Sequence, residues 1–167
     1  MLSAIFLNDI TSNGDKAWIS DTVRGAIYEY SKATNEVIEL VKHDDLASIK
    51  GLLFDTDKLI GGSIGSFTDL NDLGNLVTIS LRGEVSVLTE NIGKVDGIVK
   101  RGNGYLITDF TGKLLSVDTA GNATLLRDLA KEDGLMSTAD LEYVESKNLA
   151  IIPDLIGSTV LFLEIPE

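Results

Sequence analysis

The sequence has no cysteine, a single histidine and few bases, and each shortage removes a class of explanation. Without cysteine there is no disulfide framework, no thiolate metal site and no thiol nucleophile. The one histidine, His43, lies among acids in "KHDDL"; nothing seats a Ser-His-Asp triad there, and it reads as a solvated turn residue. Only 14 Lys and Arg stand against 26 Asp and Glu, a net charge of −12. Polyanion binding draws on clustered bases, so no nucleic-acid partner is expected. No apolar run approaches the roughly 20 residues that span a bilayer, and no membrane partner is expected either. The opening "MLSAIFLND" lacks a basic region before its short apolar stretch, so the expected location is the cytoplasm. The periplasm stays open for a chain whose leader is missing.

What is present describes one globular domain. The 167 residues are 44% hydrophobic and 24% charged, enough to bury a real core. The acid surplus accommodates a cationic partner or a metal, or simply keeps the surface solvated.

The chain repeats itself. Asp9-Ile10, Gly51-Leu52, Gly97-Ile98 and Asp140-Leu141 recur at intervals of about 40 to 50 residues. A second register, Asp21, Gly62, Asp109 and Asp154, keeps nearly the same period. Within each unit the runs are short and β-like: "DITS", "KAWISDT", "AIYEYS" and "EVIELVK" in the first, "GIVKRG", "GYLITDF", "KLLSVDT" and "ATLLRDL" in the third. Gly and Asn separate them where hairpins need positive φ. Only "HDDLASI" and "LRDLAKEDGLM", both between units, hint at helical turns.

This spacing predicts an all-β, β-propeller-like array of about four four-stranded antiparallel blades. The blades fall at 7–46, 47–93, 94–135 and 136–167, the last with three strands of its own. Residues 2–6 are expected to supply its missing strand, within one chain or between two. Open faces between blades make a homodimer an expected partner arrangement. "GGSIGSF" with "TDLNDLGN" reads as a long loop inside the second blade, an insertion or a lid. Trp18, Tyr28 and Tyr30 are expected to pack between blades.

The ordered phrases "FLNDIT…WISDT…AIYEY", "IKGLLF…DKLIGGSIG", "VDGIVKRGNGYLITDF" and "TADLEYVESKNLAIIPDL…STVLFLEI" resemble the gluconolactonase, regucalcin and luciferin-regenerating enzyme family. The resemblance implies a six-bladed ring of which this chain holds the later four blades. It also implies a metal site made by a first-blade glutamate, an Asn from a "PNG" step and an Asp from a "DG" step. Asp96 matches the last of these, as metal ligand and catalytic base. Asn8 matches a substrate-contacting Asn. Lys50 stands where the Asn ligand belongs, and no region supplies the glutamate.

Strand order gathers Asn8, Asp9, Lys50, Asp96 and Asp140 at one end, near Asp21, Asp109 and Asp154. Such an oxygen-rich cup suits a divalent cation, Ca²⁺ or Zn²⁺, and Asn8, Asp9, Lys50 and Asp140 are the candidate ligand-binding residues. Against the metal, the Lys50 ammonium repels a divalent ion and can pair with Asp96 instead. For Asp21, Asp109 and Asp154 the competing reading is a turn cap. The functions left open are a module with a degenerate catalytic site that binds a small-molecule ligand, an active metal-dependent lactone hydrolase, and a protein-interaction scaffold.

Overall fold

A computed structural model describes residues 3–166. Three antiparallel sheets have four strands each. The first joins β1 (Leu7–Ser12), β2 (Lys16–Asp21), β3 (Ala26–Ser31) and β4 (Glu36–Lys42). The second joins β5 (Ile49–Asp55), β6 (Lys58–Ser63), β7 (Gly74–Ser80) and β8 (Val85–Gly93), and the third β9 (Val95–Arg101), β10 (Gly104–Asp109), β11 (Lys113–Val117) and β12 (Ala123–Asp128). The fourth sheet holds three strands, β13 (Glu142–Val144), β14 (Leu149–Asp154) and β15 (Thr159–Glu164). The two helical turns foreseen between units are a 3₁₀ turn at Asp44–Leu46 and α1 (Leu129–Glu132).

Strand order within each sheet follows the chain, so every connection is a hairpin. The first strands β1, β5, β9 and β13 run side by side, and each sheet packs face to face on the next. Alternation places the core between the sheets, in three clusters. Trp18, Ile27, Leu59 and Ile79 join the first pair, Ile60, Leu76, Tyr105 and Ile107 the second, and Leu106, Leu114, Tyr143 and Ile152 the third. Truncating such a side chain to alanine costs about 2–5 kcal/mol. Trp18 lies flat on Phe54 of the next sheet at 5.0 Å and gives its indole N–H to Glu29. Tyr28, expected in the same kind of contact, is buried on the opposite face of the first sheet.

The four sheets form an open arc, not a closed ring. Residues 3–6 do not complete the fourth sheet of this chain, so the arrangement expected within one chain is not the one observed. The amides of Ile5 and Phe6 bond to Asp21 Oδ2 and Oδ1 (2.8 and 3.1 Å), and Arg24 holds the Ser3 carbonyl. The amide of Thr22 reaches Phe6 O, as Ile64 reaches Ser48 O and Phe110 reaches Lys94 O. Residues 5 and 6 therefore do the work of the connector that enters each sheet. Residue 2 lies outside the described residues.

Pairing also corrects one register. Leu7, Ile49, Val95 and Thr138 face Asp21, Ser63, Asp109 and Asp154. Ser63, not Gly62, stands in the aspartate row. Gly62 falls in the row of Ser20 and Thr108, where a Cβ would strike Val95 of the third sheet.

Candidate functional site

Asn8, Lys50, Asp96 and Ala139 each follow directly on the residues Leu7, Ile49, Val95 and Thr138 that face the aspartate row. The pleat aims Lys50 and Asp96 toward one another across neighbouring blades, and Lys50 Nζ donates to Asp96 Oδ2 at 2.9 Å. Asp96 is buried and Lys50 nearly so. Gly51 permits this approach, since a Cβ there would collide with the backbone carbonyl of Asp96. The Lys50 ammonium also stands 5.8 Å from the centre of the Phe110 ring.

Asp9 and Asp140 stand one residue further along the chain. Asp9 Oδ2 accepts the amide of Leu52 in the next blade at 2.6 Å, and Oδ1 accepts Ile10 N at 2.7 Å. Burial raises the pKa of Asp9 to about 6, against the pull of those amides, and the charges of Asp140 and Asp96 push the same way. Asp140 lies over Gly97, and its Oδ1 accepts Leu141 N at 2.8 Å. Burial raises its pKa too, with Asp96 adding to the shift. Asn8 is exposed and makes no side-chain hydrogen bond among the described residues. The structure thus brings Lys50, Asp96, Asp9 and Asp140 together and leaves Asn8 at the open end of the arc.

Asp21, Asp109 and Asp154 cap turns. Besides Ile5 and Phe6, Asp21 accepts Arg24 N, and these amides outweigh burial and hold its carboxyl below the usual range. Asp109 accepts Lys94 N and the amide and hydroxyl of Thr111. Asp154 accepts four amides, those of Gly157, Met136, Ile156 and Ser137, which lower its pKa. His43 is a turn residue as well: its Nδ1 accepts Asp45 N in the 3₁₀ turn.

Sequence reasoning missed Lys94. It is buried, and its ammonium donates to the carbonyls of Ile64, Ser66, Asp69 and Asp72 at 2.7 to 3.1 Å. The long loop of the second blade, residues 64–73, is therefore wound around a cation from the third. Its acceptors are backbone oxygens, which carry no residue-type signal. The wound loop leaves a hollow of about 180 Å³ beside the ion pair, lined by Lys50, Ile64, Ser66, Phe67, Leu70, Lys94 and Phe110.

The donor set does not fit a divalent cation. Asp96 Oδ2 holds an ammonium, both oxygens of Asp9 hold amides, and one oxygen of Asp140 holds another. Among the described residues no three His, Asp or Glu side chains are placed to hold a metal ion.

No family model matches the sequence, and no curated protein sequence matches it significantly. Solved structures do match. Streptogramin B lyase superposes with a TM-score of 0.66 at 13% identity, over 99% of this chain and 56% of that one. Glutaminyl cyclase of Myxococcus xanthus gives 0.68 at 10% identity, over 96% and 73%. The computationally designed Ika8 protein gives 0.62 at 17% identity, over 95% and 46%. The protein is an arc of a β-propeller. Its chain spans 46% of the length of Ika8 and 56% of that of streptogramin B lyase, about half in each case. At these identities the likeness is one of fold, and propellers carry many chemistries.

Proposed function

We propose that this propeller arc is a gluconolactonase/regucalcin-like module that binds a small organic acid at the ends of its first strands, with a degenerate catalytic site. The observation that carries this reading is the hollow beside Lys50. An ammonium stands at its edge, the rings of Phe67 and Phe110 and the side chains of Ile64 and Leu70 form its walls, and Ser66 supplies a hydroxyl. A carboxylate or sugar acid entering there would share the Lys50 protons with Asp96, while its carbon skeleton lay on Phe110. The ordered motifs shared with that family favour a sugar acid. Asp96 accepts the ammonium through Oδ2, and among the described residues Oδ1 has no hydrogen bond, so it remains an acceptor for a ligand hydroxyl.

Calorimetric titration with sodium gluconate tests this reading. Binding in the millimolar range or tighter is expected, retained in part by Lys50→Arg and lost in Lys50→Met. Equal affinity in wild type and Lys50→Met would sink it, as would no heat at all. Hydrolysis of gluconolactone that a chelator abolishes would instead favour the metal-dependent hydrolase, with Asp96 as base.

A further inference from the structure

The three contacts between blades use the same rows of residues. On the second strands Trp18, Ile60 and Leu106 are fully buried against the following blade. Their counterpart in the fourth sheet is Ile151, which is only half-buried. On the third strands Ile27, Leu76 and Leu114 are likewise fully buried. Their counterpart, Val160, is 51% exposed, and Phe162, paired with Ile151, is 63% exposed. The fourth sheet thus carries the apolar face that each earlier sheet turns to its successor.

The first sheet carries the matching face. Residues that receive the preceding blade, such as Ile107 and Ile152, are fully buried. Ile19 in the same row is half-buried, and Ile10, its cross-strand neighbour, is 63% exposed. Next to them Ala4, Leu7, Ile19, Tyr28 and Val37 line an open hollow of about 280 Å³. Tyr28 brings a buried hydroxyl with no partner among the described residues. The two ends of the arc are therefore unlike, and each repeats one half of an interface the chain already makes three times.

We propose that two copies of this chain close into one ring, the fourth sheet of each packing on the first sheet of the other. The occupant is argued from continuity: what covers Ile151, Val160 and Phe162 must offer the rows that a first sheet offers. Contacts between unlike faces close or run on as fibres, according to whether the rotations sum to a full turn. Two arcs of four blades make eight, the upper end of the common propeller range, and a third arc would pass it. Closure sets Ala139 of one copy beside Asn8 of the other, so the row Asn8, Lys50, Asp96, Ala139 becomes continuous around the channel. The net charge of −12 on each copy opposes association, so salt strengthens it. This inference does not depend on which ligand the mouth binds.

Sedimentation equilibrium at low and high salt tests it with three chains. The wild type is expected to sediment with the mass of two copies. Phe162→Asp and Ile10→Asp alter exposed side chains, so both should fold, as circular dichroism can verify. Each should weaken dimerisation at least about a hundredfold, because a carboxylate would be buried in the contact. Mixing the two variants leaves one intact interface per pair and should restore a dimer. A wild type that stays monomeric at its highest attainable concentration would overturn the proposal. So would a dimer broken by Phe162→Asp alone, which indicates like faces pairing, or a polymer in place of a closed pair.

Discussion

Ser20 of the first blade and Thr108 of the third occupy the same register position and perform the same task. Ser20 Oγ accepts the amide of Asp9 at 3.0 Å and donates to Lys50 O at 2.8 Å in the second blade. Thr108 Oγ1 accepts the amide of Gly97 at 3.0 Å and donates to Ala139 O at 2.6 Å, on the way into the fourth blade. One hydroxyl thus fixes its own first strand and fastens the next.

Thr108→Val keeps the shape and removes both bonds, which leaves a buried amide and a carbonyl unsatisfied. Urea unfolding should show a loss of about 1–3 kcal/mol. Thr108→Ser, which keeps the hydroxyl, should lose clearly less.

Lys50 and Asp96 should behave as a unit. Lys50→Met strands a buried carboxylate and Asp96→Leu a buried ammonium, each costing on the order of 3 kcal/mol. The double variant removes both charges and should be less destabilised than the sum of the singles. Additive losses in a double-mutant cycle would show that the 2.9 Å contact carries little coupling.

The acids give stability two opposed pH dependences. Asp9 has a folded pKa of about 6, above the ordinary aspartate value of 3.8, so the folded chain binds that proton more readily than the unfolded one. Its contribution is fully present below the unfolded value and is lost as pH rises through about 6. Asp140 shifts the same way. Asp21 and Asp154 have lowered values, so their contribution is present above the unfolded carboxylate pKa and is lost in more acid solution. Asp9→Asn should therefore flatten the decline in urea midpoint from mildly acidic to neutral pH and leave the acid limb in place. An unchanged slope would refute the assignment.

Lys94 should govern the order of residues 64–73. Lys94→Met leaves four loop carbonyls without their common donor, at a cost of about 2–3 kcal/mol. Hydrogen exchange should rise across the loop and much less in β14, which lies two blades away from it. Exchange confined to its present level would mean that the loop is held by other contacts.

Much of this fold was legible because each unit states its turns in Gly and Asn and its strands in alternating Val, Ile, Leu and Tyr. The four sheets, the short fourth one and the two helical turns between units follow from those signals, whereas the 3₁₀ turn at Glu145–Lys147 inside the fourth unit does not. The aspartate row was legible in three blades and misread in the second, where Ser63 holds the position next to two glycines that offer no acid to align, and its hydroxyl bonds Asn75 instead. Residues 3–6 have the look of a strand, "SAIF", but their amides are claimed by Asp21. That distinction depends on a carboxylate fifteen and sixteen residues away and not on the type of residues 3–6. At the site, the meeting of Lys50 with Asp96 could be anticipated from equal positions in adjoining units. The commitment of Asp9 to Leu52 N could not, because a backbone amide is the same in every residue. Lys94 was hidden for the same reason.

The way the second-blade loop is gripped has a consequence for how this mouth can vary. Lys94 holds main-chain oxygens only, so Ile64, Ser66, Asp69 and Asp72 contribute nothing to the grip that another residue would not contribute equally. Substitutions at Phe67 and Leu70, which are exposed beside the hollow, can change what the rim recognises without unwinding the loop. One distant side chain, with Gly65 and the Ser66 hydroxyl at the bend, keeps the contour, while the two rim letters are free to change.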